Sequence, residues 1–504
     1  MSSKTTDDLC IVLVQPTAYQ GVQSLFTHHK NGKVGIGHKP PLGVMILGTY
    51  LISKGYKNVH LIDAQLDNLT PEETAAQVAA LKPDVVGFTV WTDFWYPAWQ
   101  TIRLTKEQVS HCKIVLGGPH CTCVPRETLE GSLADYLVVG DGEDVMLGIV
   151  DSLAKGEPVE EAPGLWRKEG GEILGPQIDL AIPKDLAAIP TPDRLLLPYK
   201  RYTSVLNAND YETTMVTSRG CPHKCNFCKI ENTKVYCRTA EQVVEEFREI
   251  QKLGITDVQV YDDTFTWSKK RVIDICKGLI ENNIKVNWAI RDRVKRADPE
   301  IYALMKEAGC YRIHFGVETG SEPVLDATGK ATTLQEAEEA MRYAKEAGFV
   351  TMGYYMFGFL DETYEDAQKT IDFSVKLDAD YNVFNIVIPY PGTRLYTDAL
   401  ERKVIPCDFW LDYTLNPVAD YRIPHLIEHV LSRDALLNLK SDALRRHYLR
   451  PKVILKELKS LRSFNEFKRK GSMALDILTD ALSPVFSKKK EMPENFHTYH
   501  SVNS

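Results

Sequence analysis

Three thiols on one short loop are the most informative residues of the sequence. Cys221, Cys225 and Cys228 stand in a CxxxCxxC spacing directly after a β-type run and a glycine. Such a loop can offer one thiolate to each of three irons of a cubane 4Fe-4S cluster, leaving the fourth iron without a protein ligand. A fully ligated cluster suits electron transfer, whereas an open iron can chelate a small molecule and pass it an electron. The alternatives are a zinc knuckle or three incidental thiols. Zinc would want a fourth Cys or His, and His223, inside the loop, is badly placed to supply it.

Other polar residues fall where strands are expected to end. Asp262 and Asp263 follow DVQVY, Arg291 follows WAI, and Glu318 closes HFGVE. At the carboxyl mouth of a barrel such residues build sites, although each also has a bland reading as a solvated or paired charge. Earlier in the chain, Thr89 and Thr92, Gly117-Gly118-Pro119-His120 and Gly140-Asp141-Gly142-Glu143 also occupy strand ends. The aromatic run from Trp91 to Trp99 lies beside them, able either to cover a flat ligand or to pack as core. Cys121 and Cys123 flank that histidine turn, and packing is a plainer reading for them than a metal site. Cys10, Cys112, Cys237, Cys276 and Cys310 lie in or beside strands and helices and read as buried thiols.

The elements that must position these residues form two alternating series. CIVLVQP, VHLID, DVVGFTV, KIVLGG and YLVVG read as strands separated by helical patterns, which implies a parallel sheet covered on both faces. A ligand crevice at the strand ends follows from that topology, and the lack of GxGxxG after the first strand disfavours a dinucleotide. A second series has strands at TTMVTSRG, DVQVYDD, KVNWAIR, YRIHFGVE, VTMGYYMFG and YNVFNIVIP, six βα units that suggest a partial barrel. The expected organisation is a doubly wound α/β domain over 8–157, a linker with a hairpin over 158–205 and a (β/α)6 barrel over 206–410. A helical extension over 411–485 and a flexible tail over 486–504 would complete it.

The chain has 504 residues, 44% of them hydrophobic and 25% charged, with a net charge of -8. That excludes disorder as the main state and argues against coating nucleic acid. Between Ser441 and Lys490, however, 13 basic residues face 5 acidic ones. Helices there, with Val453, Ile454, Leu455, Leu458 and Leu461 on one face, would either touch an anionic membrane surface or pack on the barrel with lysines outside; packing is the plainer reading. Eleven cysteines in so long a chain do not read as a secreted disulfide framework. With neither a signal peptide nor an apolar span in the sequence, a cytoplasmic protein is expected, with peripheral membrane contact as an option.

On these residues the chain resembles the radical S-adenosylmethionine (SAM) superfamily, over roughly residues 205–400. The resemblance implies that Cys221, Cys225 and Cys228 hold the cluster and that its open iron binds SAM, which a donor such as flavodoxin or ferredoxin reduces to a 5'-deoxyadenosyl radical. It implies SAM contacts at Phe227, Asp262, Asp263, Arg291 and Glu318. GFLDET, from Gly358, departs from the family's usual Gly-x-Pro-Gly-Glu-Thr turn, while Pro389 to Thr393 continues the likeness. The preceding domain resembles the cobalamin-binding subgroup through PPLGVMILGTYLISKGY, LGGPH and VVGDGE. Thr89, Thr92, Gly117, Gly118, His120, Gly140, Gly142 and Glu143 would then contact cobalamin. No DxHxxG is present to supply a lower axial histidine, so binding without a protein nitrogen on cobalt is expected. The implied activity is methylation of an unactivated carbon through the 5'-deoxyadenosyl radical and methylcobalamin. Oxidative cyclisation, as in anaerobic tetrapyrrole cyclases, and a non-catalytic Fe-S or cobalamin sensor are the alternatives. Lipids, tetrapyrroles, peptides and other small molecules all remain open as substrates.

Overall fold

The computed structural model describes residues 4–22, 38–183, 185–204, 211–230 and 234–460, with scattered residues between 470 and 481. Strands β1 (Ile11–Gln15), β2 (Val59–Asp63), β3 (Val85–Thr89), β4 (Lys113–Gly117) and β5 (Tyr136–Val138) form the first parallel sheet. They alternate with α1 (Leu42–Ser53), α2 (Pro71–Ala80), α3 (Trp95–Gln108), α4 (Pro119–Cys123), α5 (Pro125–Glu130) and α6 (Glu143–Lys155). Every residue of β1 is buried, as expected for a strand covered by helices on both faces. The order β2-β1-β3-β4-β5 reverses between β1 and β3, and that switch point opens a crevice at the strand ends.

The expected linker hairpin belongs to this sheet. Strands β6 (Leu165–Glu169) and β7 (Glu172–Leu174) continue it antiparallel from β5 to a total of seven strands. The hairpin covers an edge that β5 would otherwise expose, a demand that reading one segment at a time does not reveal. Gly140 at φ +98° and Gly164 at φ +71° allow the backbone of Ala181 to approach this corner.

The second sheet contains β8 (Glu212–Met215), followed by the small ribbon of β9 (Ser218–Arg219) and β10 (Tyr236–Cys237). It continues with β11 (Asp257–Val260), β12 (Asn287–Arg293), β13 (Cys310–Glu318), β14 (Val350–Phe357) and β15 (Tyr381–Ile386). Six parallel strands lie in sequence order from β8 to β15, making a partial barrel. The strand expected over 213–220 is broken, because Asp262 captures the backbone N–H of Thr217 and the hydroxyls of Thr217 and Ser218.

Helices α7 (Ala240–Lys252), α8 (Lys269–Glu281), α9 (Pro299–Glu307), α10 (Glu322–Ala327), α11 (Leu334–Glu346) and α12 (Tyr364–Leu377) surround the barrel. Thr239, Thr333 and Thr363 start α7, α11 and α12 with reciprocal capping boxes to Gln242, Glu336 and Asp366. Outward residues such as Val258, Ile290, Ile313 and Phe315 are buried in the shared core. Their alternates Gln259, Arg291, Arg312, His314 and Tyr354 face the lumen, as the strand period requires. The barrel interior is therefore polar.

After α13 (Arg394–Glu401), helix α14 (Phe409–Leu415) ties the two units together. Trp95 Nε1 donates to the Thr414 carbonyl at 3.0 Å, and Tyr390 donates to Asp93 at 3.0 Å. Helix α15 (Arg433–Tyr448) starts at its Ser432 cap, and Leu426 and Ile427 are buried in irregular chain ahead of it.

Helix α16 (Pro451–Ser460) reverses the packing expected of it. Lys452 and Arg450 reach Asp378 at 2.5 and 3.0 Å and Lys456 pairs with Asp380, so the basic side is tied to the barrel. Ile454, Leu455 and Leu458 are exposed. Leu461 and the 482–504 tail lie outside the described residues.

One buried ion triad joins the chain between the sheets to the barrel. Arg194 Nη2 lies 2.6 Å from Glu246 Oε1, and Arg238 holds the other oxygen of this fully buried carboxylate. Glu246→Ala would strand two guanidiniums, at a cost of about 3–5 kcal/mol. Urea unfolding should show a lower midpoint, and an unchanged one would contradict this role.

Candidate active site

The loop carrying the three thiols is pinned immediately before it begins. Asp262 accepts the Thr217 N–H at 2.6 Å, the Thr217 hydroxyl at 2.5 Å and the Ser218 hydroxyl at 2.7 Å. Its neighbour Asp263 accepts the Gly220 N–H at 3.0 Å. Asp262 is only 2% exposed and engaged by three donors, which corrects the expectation that it meets SAM. Asp263 is exposed.

Within the loop Cys221 is buried, Cys225 half-buried and Cys228 exposed. Asn226 anchors its middle, donating to the Thr328 carbonyl at 2.9 Å and accepting the Leu395 N–H at 2.8 Å. Phe227 packs on Phe359 with ring centroids 5.8 Å apart. Although the residue is exposed, the protein packed around its sulfur, reinforced by Cys225, Cys221, Asp263 and Glu318, pushes the Cys228 thiol up to about 12. A cationic iron centre would supply the charge that such a thiol needs in order to ionise. Among the described residues, no three Cys, His, Asp or Glu side chains already converge as a metal cage. The three thiols share one short loop. Their common loop and mutual electrostatic influence fit that group.

The basic residues bordering this loop were not singled out from the sequence. Arg293 Nη1 lies 3.6 Å from Cys225 Sγ and its other nitrogen donates to the Lys330 carbonyl. Lys330 pairs with Glu318, which sits at φ +72° beside a register shift in β13. A left-handed glutamate is costly backbone, of the kind that surrounding structure holds at functional sites. A Cβ at Gly316 would run into both Glu318 Oε1 and Lys330 Nζ and displace this pair. Arg293 was legible as the lumen alternate of Arg291, whereas no local pattern joins Lys330 to Glu318. Arg291 itself stacks on Tyr261 at 4.3 Å, two residues before Arg293 on the same strand.

In GFLDET, Glu362 accepts the N–H groups of Gly358 and Phe359 at 2.5 and 3.2 Å, and burial pushes it up to about 7. The departing residue Asp361 takes φ +64° and pairs with Arg402 at 2.6 Å. The turn is thus held without its Pro-Gly.

At the first sheet's crevice, a Cβ on Gly142 would meet nothing within 4 Å and one on Gly117 only a carbonyl at 4.0 Å, so a ligand can approach both. Gly118 and Gly140 serve close packing instead, against Val90 and Ala181. Thr89 is half-buried, while the buried Thr92 lies 3.3 Å from His120 Nδ1. His120 is fully buried, 4.9 Å from the Trp95 ring, and burial lowers it to about 3. It therefore has no open face toward the crevice. Trp95 and Trp99 pack as core and rim, and Trp91 alone of these tryptophans is exposed, at 52%. Cys237 is half-buried rather than buried, while Cys10, Cys112, Cys276 and Cys310 are buried as expected.

Arg219 connects crevice and loop. Its two terminal nitrogens reach Asp141 at 2.8 Å and Glu143 at 2.7 Å, and it stands two residues before Cys221. These carboxylates hold its charge firmly on. Glu143 is committed to this fork, which removes that oxygen from the expected cobalamin contacts.

Residues 215–374 match the family model of the radical SAM superfamily and residues 36–150 that of the B12 binding domain. An uncharacterized methyltransferase of Pyrococcus horikoshii is 33% identical over 425 residues, 83% of this chain and 90% of the relative. An anaerobic magnesium-protoporphyrin IX monomethyl ester cyclase of Rubrivivax gelatinosus is 30% identical over 400 residues, covering 76% and 71%. Among solved structures, the radical SAM methyltransferase TsrM of Kitasatospora setae, with cobalamin and a [4Fe-4S] cluster, superposes with TM-score 0.64 at 19% identity, covering 80% of this chain and 76% of that one. The cobalamin-dependent SAM radical enzyme OxsB superposes with TM-score 0.66 at 17% identity, covering 94% and 72%. At these identities the two structures establish the fold.

Cys225→Ala should remove most cluster iron and the sulfur-to-iron visible absorbance after anaerobic reconstitution, while leaving the far-ultraviolet dichroism intact. Full iron content in that variant would contradict the assignment.

Proposed function

The chain belongs to the cobalamin-binding branch of the radical SAM superfamily, and from that membership we propose that it transfers a methyl group to an unactivated carbon of a small molecule. The observation that carries this reading is the Arg219 fork, which joins the crevice turn at Asp141 and Glu143 to the thiol loop. These ion pairs tie the crevice turn to the residue two positions before Cys221, which supports a common space for the two cofactors. The Pyrococcus relative's description as a methyltransferase and the cobalamin and cluster in the TsrM structure support the same reading.

When bound, the cluster with SAM supplies a 5'-deoxyadenosyl radical and cobalamin supplies a transferable methyl group. The chain's own residues do the rest. Cys221, Cys225 and Cys228 ligate iron, with Arg293 beside Cys225 offsetting thiolate charge. Asp263, after β11, and Glu318, at the end of β13, would take the amino and ribose groups of SAM, and Phe227 would offer a flat edge to adenine. Gly117 and Gly142 let a corrin approach the backbone, with Thr89 as a hydrogen-bonding partner. His120, buried against Trp95, has no open face toward the crevice and would not be among the groups that hold the cofactor. A low-potential flavodoxin or ferredoxin supplies the electron.

The 30% identity to a cyclase favours oxidative ring formation as the second reading. Anaerobic turnover with CD3-labelled SAM separates the two. Methylation requires label in the product, with S-adenosylhomocysteine and 5'-deoxyadenosine both formed in a cobalamin-dependent way. A product without label would favour cyclisation, and absence of reductive SAM cleavage would favour a sensor.

The exposed Ile454, Leu455 and Leu458, within a strongly basic stretch, extend the proposal to an anionic membrane surface. The protein should co-sediment with phosphatidylglycerol vesicles and lose at least half of that binding in Leu455→Glu. Equal binding of the two proteins would contradict the contact.

A further inference from the structure

Below the thiol loop, the barrel lumen holds a cationic layer that ligating iron does not use. Strand alternation turns Arg291 inward from β12, while Trp288 and Ile290 on the same strand are buried. Arg291 is exposed, so this part of the lumen is open. Its guanidinium lies over the Tyr261 ring at 4.3 Å and interacts with the Tyr354 hydroxyl. Among the described residues it forms no ion pair.

His314 pairs with Arg291 in the strand register, and its Nδ1 lies 3.0 Å from the Tyr354 hydroxyl. The imidazole is 7% exposed, and Nε2 is buried without a hydrogen-bond partner. Burial, with Arg312, Arg291 and Lys39 nearby, lowers its basicity well below the ordinary value, so it is neutral. A neutral imidazole and a phenol carry two proton donors between them, and their mutual bond uses one. Whichever ring donates, the pair retains a second donor.

Deeper in the lumen stand Arg312 and Lys39, the latter paired with Glu212. Burial and the repulsion of Arg312 and Arg291 lower Lys39 to about 7. Glu212 and Asp257 lie among Lys39 and Arg312 and offset them, which leaves the charge of Arg291 for a bound anion to compensate.

We propose that Arg291, together with the Tyr354–His314 pair, is a subsite for a carboxylate of the substrate. This rests on the proposed methyl transfer, with the lumen beneath the thiol loop taking its substrate, and it moves Arg291 away from its expected role with SAM. The basic groups that border the thiol loop are Arg293 and Lys330; Arg291 is one lumen layer deeper, about 6–7 Å along the strand. A planar guanidinium fork with an adjacent neutral donor matches the two oxygens of a carboxylate. The substrate class is therefore a carboxylic acid whose reacting carbon lies between this layer and SAM.

Phenylglyoxal labelling of Arg291, quantified by peptide mass spectrometry on the reconstituted holoenzyme with saturating SAM, tests the assignment. Glutarate is the probe, glutaramide its neutral counterpart and inorganic phosphate the competing oxyanion. Glutarate should slow labelling about tenfold, glutaramide should not, and phosphate should protect less than glutarate. Tyr354→Phe should raise the glutarate concentration for half-protection about tenfold, the expected size for a hydrogen bond to a charged group. Complete protection by SAM alone would return Arg291 to the SAM site and overturn the proposal. Equal protection by glutaramide, or stronger protection by phosphate, would overturn it as well. The readout needs no turnover, so failure of methyl transfer leaves it intact, while loss of glutarate protection in an enzyme that methylates would refute the subsite alone.

Discussion

The arrangement of the molecule depends on one charged fork. Arg219 stands between two acidic residues of the first sheet's β5–α6 turn and the start of the thiol loop, with little solvent around it. A guanidinium so placed keeps its charge and cannot shed either partner without stranding a buried ion. Its fixed geometry therefore transmits the position of the crevice to the position of the loop. Helix α14 reinforces the same joint from the other side through Trp95, Tyr96 and Tyr413.

Around that joint, buried carboxylates organise the backbone. Asp262 breaks the first barrel strand and turns it into the ribbon that carries Arg219, and Glu362 gathers the amides after β14. In sequence Asp262 reads as a SAM contact because it is acidic and lies at a strand end, while Glu362 attracts no reading of its own. In the structure they are acceptors for N–H and O–H donors, and their neighbours Asp263 and Glu318 are the ones that face the loop. The polar lumen follows from the same alternation that makes the outer faces of the strands apolar.

Most of the architecture was legible because its signals are local. CxxxCxxC after a strand, period-2 runs and Thr-initiated helices each carry their meaning within a few residues. What escaped depends on contacts distant in sequence. The hairpin over 165–174 read as a connector because nothing in it announces that β5 needs an edge partner. Lys330 gives no sign of its bond to Glu318, and Arg219 none of its partners more than seventy residues earlier. For α16 the amphipathic pattern was legible but its direction was not, since Asp378 and Asp380 decide which side faces the barrel. His120, expected among the cobalamin contacts of a glycine turn, is instead held beneath Trp95.

The central claim is that the Arg219 fork sets the two cofactor regions around one space. Pulsed electron paramagnetic resonance on protein holding cob(II)alamin and the reduced cluster measures it directly, through the magnetic coupling between the two centres. The account requires one narrow distance distribution in the native protein and a broadened one in Arg219→Ala with both centres retained. Two centres without coupling in the native protein, or an identical narrow distribution in the variant, would contradict it.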